Sequence, residues 1–156
     1  MARPFFAAAW AESQKIYDPV NSGERVARVV GGYVEKNINN AEPYQRWSNT
    51  CAVRMSYILD HTGFIIPKIL GQTVSGKDHR QYFFRVKNLI TFLEVKWGKP
   101  EIVKYPPSGG GALIGKKALY FLKFRARMMH KVMRLCLMAI SATITVTLMS
   151  QALIII

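Results

Sequence analysis

Cys51 is the residue whose type and position could do covalent chemistry. It follows Asn49 and Thr50, and either of these can cap a helix that starts near Cys51. A thiol in a first helical turn lies beside unpaired N–H groups and the positive end of the helix dipole, which stabilise a thiolate. The position therefore suits a nucleophile. It also suits a small buried thiol that packs at a helix start, and spacing alone favours this second interpretation.

A nucleophilic thiol also needs an imidazole that takes its proton and returns it to the leaving group. His61 lies ten residues after Cys51 on the same predicted helix. That separation is about 15 Å, so His61 cannot contact the thiol. His79 falls in a predicted turn and His130 in a basic segment near the C-terminus. We expect neither of them to act as the base.

Metal and disulfide chemistry is restricted by the cysteine and histidine content. The two cysteines, Cys51 and Cys136, exclude a disulfide-dense scaffold and a four-cysteine zinc site. The three histidines are too widely spaced to indicate a histidine-rich metal site. We expect no metal and no cofactor. The sequence leaves open a disulfide between the two cysteines, which would consume the candidate nucleophile.

The helix that must position Cys51 is predicted from its apolar spacing. Its buried stripe comprises Ala52, Met55, Ile58 and Leu59, and Gly63 fits the helix end. Around it the sequence predicts further elements by the same signals: helices over 3–15, 22–30 and 86–97, a strand over 81–85, a loop over 64–80, a stop or close-packing point at Gly31-Gly32, and an extended stretch at Ile102-Val103.

Charge is distributed unevenly along the 156 residues, whose net charge is +13. Every acidic residue lies at or before Glu101, whereas eight basic residues and no acidic one follow it. No charged residue follows Arg134. The distribution of charged residues therefore divides the chain into two unlike parts that meet near residue 117. The high charge alone would suit nucleic acid, but no recognised motif accompanies it, so we expect no nucleic-acid partner.

The C-terminal segment offers an alternative function. Leu135–Ile156 is a 22-residue uncharged run after a basic stretch. Its length and polarity suit a transmembrane helix with a positive cytoplasmic flank. The alternative is therefore a small basic protein with a C-terminal transmembrane anchor.

The run from Asn49 to Leu59 resembles the nucleophile helix of the fourth family of type VI secretion amidase effectors. Shorter pieces follow in that family's order and extend the resemblance over residues 3–117: Arg3-Pro4 with Phe6 and Trp10, Gly31-Gly32 with Val34 and Asn37, Ser75-Gly76-Lys77-Asp78, Phe84-Arg85-Val86, Gly98-Lys99-Pro100, and Ile114-Gly115-Lys116-Lys117.

The resemblance implies an α+β, papain-like (NlpC-type) cysteine peptidase fold with a Cys-His-acid arrangement. It implies a peptidoglycan amidase that cleaves the γ-D-glutamyl–diaminopimelate bond of cell-wall peptide stems, with Cys51 as the nucleophile. It further implies secretion by the type VI system, action in the periplasm of the target bacterium, and a cognate immunity protein as partner.

The resemblance stops at Lys117. There the family continues with a strand, a Gly-His pair that carries the base, and an acidic residue that orients it, and residues 118–156 show none of these. We therefore divide the chain into a family-like part, 1–117, and an anomalous basic and then apolar tail, 118–156. The fold is expected to be truncated or corrupted in its C-terminal sheet half.

A reading-frame change at Lys116-Lys117 would explain the tail. Lysine codons are runs of A, on which the reading frame can slip. In the shifted frame the bases of residues 124–127 can give Gln-Gly-Pro, and those of residues 131–134 can give Gly-His-Ala. Continued reading gives a second strand and an acid. Since the chain as encoded lacks both partners of Cys51, we expect it to be inactive or nearly so.

Overall fold

A computed structural model of the chain describes residues 3–99, 101–103, 120–122 and 153–155. It divides into two compact units, residues 1–92 and 93–156, and the boundary falls within a helix. The helices are α1 (Phe6–Ile16), α2 (Ser22–Val30), α3 (Gly32–Ile38), α4 (Cys51–His61) and α5 (Val86–Trp97), with a short 3₁₀ helix at Pro43–Gln45. The strands are β1 (Thr73–Ser75), β2 (Gln81–Phe83), β3 (Glu101–Val103), β4 (Tyr120–Leu122) and β5 (Leu153–Ile155).

Helix α4 forms the centre of the first unit. The predicted stripe is confirmed, since all four of its side chains are buried. Burial extends well beyond one stripe, because α1 and β2 both pack against α4 and α2 touches it as well. The surrounding core includes Ile16, Val26, Val30, Phe64, Tyr82 and Phe83. The helix ends where predicted, with Gly63 in a left-handed conformation at φ 90°.

The break between α2 and α3 is a point of close packing, as the Gly31-Gly32 pair predicts. Both glycines adopt positive φ, at 63° and 62°. A Cβ on Gly32 would lie 2.6 Å from the backbone carbonyl carbon of Gly76. The Lys77 N–H donates to the carbonyl of Val30 at 3.0 Å. The helix break and the turn after β1 therefore fit together only because side chains are absent there.

Strands β1 and β2 form an antiparallel hairpin, with Thr73 opposite Phe83 and Ser75 opposite Gln81. The sequence predicts β2 but wrongly assigns β1 to the loop over 64–80. Three residues, Thr-Val-Ser, are too few to show an alternating pattern. Their strand conformation depends on pairing with β2, which lies beyond the turn at residues 76–80.

Helix α1 departs from prediction at its start and in its buried face. It begins at Phe6, and Phe5 is extended, so Pro4 lies outside the helix. The buried residues are Ala9, Ser13 and Ile16, whereas Trp10 is 39% exposed. The helical spacing of Phe6, Trp10 and Ser13/Gln14 predicts a shared face, but of these residues only Ser13 is buried.

In the second unit, β5 lies between β3 and β4 and pairs antiparallel with both. The extended stretch at Ile102-Val103 is confirmed, and a strand also forms at Tyr120–Leu122, in the segment after Lys117. The transmembrane helix predicted over 135–156 is wrong at Leu153–Ile155, where the backbone is a strand. The rest of that prediction lies outside the described residues. Among the helices that the structure describes, none is long and apolar enough to cross a membrane.

Candidate active site

Cys51 is the first residue of α4, as the sequence predicts. Its backbone N–H donates to Oδ1 of Asn49 at 3.0 Å. Thr50 is the N-cap residue, and its carbonyl accepts from the N–H of Arg54 at 2.9 Å. Both candidate caps therefore accept hydrogen bonds from the first turn of α4, Asn49 through its side chain and Thr50 through its backbone carbonyl. The next N–H groups, of Ala52 and Val53, have no carbonyl acceptor within the helix, as at any helix start.

Cys51 is 5% exposed, and its thiol lies beside a cation. The guanidinium of Arg54 donates to its Sγ at 3.5 Å. Arg54 is three residues further along α4, so both side chains lie on one helix face. In the sequence, the only signal for Arg54 is its i+3 spacing from Cys51.

Ser56 connects α4 to the hairpin. Its buried hydroxyl donates to the carbonyl of Ala52 at 2.7 Å and accepts from the N–H of Phe83 at 3.0 Å. Because Ala52 directly follows Cys51, this serine links strand β2 to the turn that carries the thiol. The register between helix and hairpin is therefore set by a hydrogen bond as well as by apolar packing.

Aromatic side chains from the two segments that flank α4 and β2 stack together. Trp47, four residues before Cys51, stacks on Phe84 with ring centroids 5.1 Å apart. The guanidinium of Arg85 lies 5.0 Å from the centroid of Phe84. The stack therefore connects the segment that precedes α4 with the residue that follows β2.

His61 is the last residue of α4, so the structure places it at the opposite end of the helix from Cys51. Its ring stacks on Tyr57 with centroids 3.9 Å apart, and its Nδ1 lies 2.9 Å from the carbonyl oxygen of Tyr57. Its Nε2 is 3.8 Å from a carboxylate oxygen of Asp78. His79 occupies the turn before β2 at φ 63°, and His130 lies outside the described residues.

The carboxylates near the hairpin hold local structure together. Asp60 is buried, accepts from the N–H of Ile66 at 3.0 Å and pairs with the guanidinium of Arg80. Asp78 accepts from the hydroxyl of Tyr82 at 2.6 Å. Burial, and next the hydrogen bond to Asp78, raise the pKa of Tyr82 well above its ordinary value. Within the part of the chain that the structure describes, no acidic, histidine and cysteine side chains cluster as metal ligands would.

Cys51 is buried at the start of a central helix, and this helix packs against a small hairpin. The chain is therefore a mixed helix-and-sheet protein with a candidate thiol nucleophile. The family model of type VI secretion system (T6SS) amidase effector protein 4, Tae4, matches residues 47–132. The chain belongs to this family, whose members are peptidoglycan amidases of type VI secretion.

Solved structures agree with this assignment. Tae4 from Salmonella typhimurium, in complex with the immunity protein Tai4 from Enterobacter cloacae, is 37% identical to the chain. The similarity covers 78% of this chain and 72% of that one, with a TM-score of 0.65. The Tae4–Tai4 complex from Enterobacter cloacae is 33% identical over the same shares, with a TM-score of 0.66. No match was found among curated protein sequences.

Proposed function

We propose that Cys51 is the nucleophile of a papain-like (NlpC-type) amidase that cleaves the γ-D-glutamyl–diaminopimelate bond of peptidoglycan peptide stems. The observation that carries this proposal is the placement of Cys51 at the start of α4 with Arg54 beside its sulfur. That arrangement suits a thiolate, whereas a thiol kept only for packing needs no cation.

The proposed reaction proceeds by acyl transfer. The Cys51 thiolate attacks the amide carbonyl carbon, and the resulting oxyanion accepts hydrogen bonds from N–H groups of the first turn of α4. The C–N bond then breaks, and the amine leaves after receiving the proton that the thiol gave up. A water molecule hydrolyses the thioester, which releases the γ-D-glutamyl carboxylate and restores the thiol.

The proton-transfer step needs a base, and we propose that a frame change at Lys116-Lys117 removed it. His61 lies at the far end of α4, while Asp60 and Asp78 bind Arg80 and Tyr82. In the shifted frame the base histidine derives from the bases of Val132 and Met133, and the acid from those of Thr143 and Ile144. The family match runs past Lys117 to residue 132, so sequencing must read from the Lys116 codons through this whole stretch.

The test compares two full-length proteins, the chain as encoded and the chain translated in the restored frame, on purified peptidoglycan. Muropeptides are separated and identified by mass spectrometry, and Cys51→Ala is the control in both. We expect cleavage by the restored protein and at least ~100-fold slower cleavage by the encoded chain, because general acid–base catalysis contributes about 10²–10⁴-fold.

Three outcomes would contradict parts of the proposal separately. A folded restored protein that leaves peptidoglycan intact would refute the amidase assignment to Cys51. Equal cleavage by both proteins, abolished by Cys51→Ala, would refute inactivation but keep the nucleophile. An undisturbed frame in several independent isolates would reject the frame change.

We also propose an immunity protein of the Tai4 type as partner and the periplasm of the target bacterium as the place of action. The support is that relatives form complexes with Tai4 and that the substrate lies in that compartment. Co-purification of the encoded chain with the immunity protein encoded beside its gene tests the partnership. Failure of both the encoded and the restored chain to bind it would refute it.

A further inference from the structure

We propose that Arg54 is a positioning residue that holds the sulfur of Cys51 as a thiolate, ready for attack, independently of any histidine base. The inference rests on the proposed role of Cys51 and deepens it. Its first support is the contact itself, since the Arg54 guanidinium donates to Sγ at 3.5 Å. A permanent positive charge next to a thiol favours the ionised form.

The second support is an unsatisfied donor of the same side chain. Nε of Arg54 is buried and donates to no acceptor among the residues that the structure describes. Burying a charged donor is costly unless an anionic or hydrogen-bonding partner offsets the cost. A sulfur anion beside the guanidinium supplies negative charge to that partly buried cation, whereas a neutral thiol supplies almost none.

The third support is the location of the remaining charges around α4. The charges of Glu12 and Lys15, on α1, interact with Tyr57, in the middle of α4. Asp78 and Arg80 lie at its end, beside His61 and Asp60. On α2, Arg28 pairs with Glu24, and Arg25 donates to the carbonyl of Lys15. Strand β2 carries no charged residue. None of these side chains is recorded in contact with the Cys51 sulfur, whereas the Arg54 guanidinium is.

The experiment measures alkylation of the full encoded chain by iodoacetamide between pH 5 and 10. Peptide mass spectrometry follows Cys51 and Cys136 separately, so Cys136 serves as a reference thiol within the same molecule. The variants are Arg54→Met, which removes the charge and keeps the length, and Arg54→Lys, which keeps the charge. The midpoint of the pH profile is compared, because the rate at a single pH also reflects the lower nucleophilicity of a more acidic thiol.

We expect the Cys51 midpoint of the unchanged chain to lie about one pH unit below that of Arg54→Met, and Arg54→Lys to recover part of the shift. Equal midpoints in the unchanged chain and Arg54→Met would overturn the proposal. Equal loss in the Lys and Met variants would also overturn it, because shape rather than charge would then matter. A Cys51 midpoint at or above that of Cys136 in the unchanged chain would do so even if a variant fails to fold.

This result is separable from the proposed function. Alkylation requires neither peptidoglycan nor a base, so a shifted midpoint in an inactive chain would support Arg54 and leave the amidase question to the cleavage assay. Conversely, cleavage by the restored protein with an unshifted midpoint would keep the function and reject Arg54 as the stabilising group.

Discussion

Hydrogen bonds from three residues help to fix the geometry around Cys51, in addition to apolar packing. Asn49 binds the N–H of Cys51, Arg54 binds its sulfur, and Ser56 binds both the next carbonyl and strand β2. The sequence predicts the cysteine at the helix start and a cap before it, because both depend on neighbours within three residues. It cannot predict that Ser56 reaches Phe83, since that partner is 27 residues away.

Replacing Ser56 by alanine tests this link. The variant leaves the buried N–H of Phe83 without its acceptor, which costs about 1–3 kcal/mol of unfolding free energy. Denaturant unfolding followed by circular dichroism measures the change. Ser48→Ala is the matched control, because Ser48 is exposed and should change stability by less than about 0.5 kcal/mol. Equal stabilities of the two variants would show that Ser56 does not bear on the fold.

At the scale of elements, the accuracy of prediction followed the strength of the local signal. Helices α2, α4 and α5 occur where apolar spacing and glycine stops place them. The sequence does not predict strand β1, because its conformation depends on pairing with β2. Helix α1 buries Ala9, Ser13 and Ile16 and leaves Trp10 exposed, which its local spacing does not predict. The glycines at the α2–α3 break were recognised from sequence, but their contact with the β1–β2 turn follows only from the fold.

Two glycine substitutions separate backbone strain from steric exclusion. Gly32 and Gly63 both adopt positive φ, but a Cβ on Gly32 meets backbone at 2.6 Å whereas one on Gly63 meets nothing within 4 Å. We expect Gly63→Ala to cost about 1–2 kcal/mol from strain alone. Gly32→Ala should cost more, because the hairpin turn must also move. Thermal unfolding of the two variants gives the comparison, and equal losses would mean that the turn shifts freely.

At the scale of the whole molecule, ionisation links stability to pH. Tyr82 is fully buried, and its hydroxyl binds Asp78. Because its pKa is raised above the ordinary 10.0, the folded chain keeps the proton at pH values where the unfolded chain loses it. The stabilisation is therefore complete below about pH 10 and is lost as the pH rises further.

Tyr82→Phe makes this dependence measurable. At pH 7 the variant should be less stable by about 1 kcal/mol, since it lacks the hydrogen bond to Asp78. Above pH 10 the difference should shrink by about 1 kcal/mol per pH unit and then reverse, because the variant has no phenol to ionise. Tyr17→Phe, which removes the hydroxyl of an exposed tyrosine, is the matched control. A difference that stays constant from pH 7 to 11 would contradict the prediction.

The second unit has a practical consequence through β5. This strand ends one residue before Ile156 and fills the middle of its sheet, between β3 and β4. A purification tag fused directly after Ile156 would therefore extend from the central strand of this sheet. Removing the last few residues would deprive β3 and β4 of the strand that both pair with. Expression designs for this polypeptide should carry their tags at its N-terminal end.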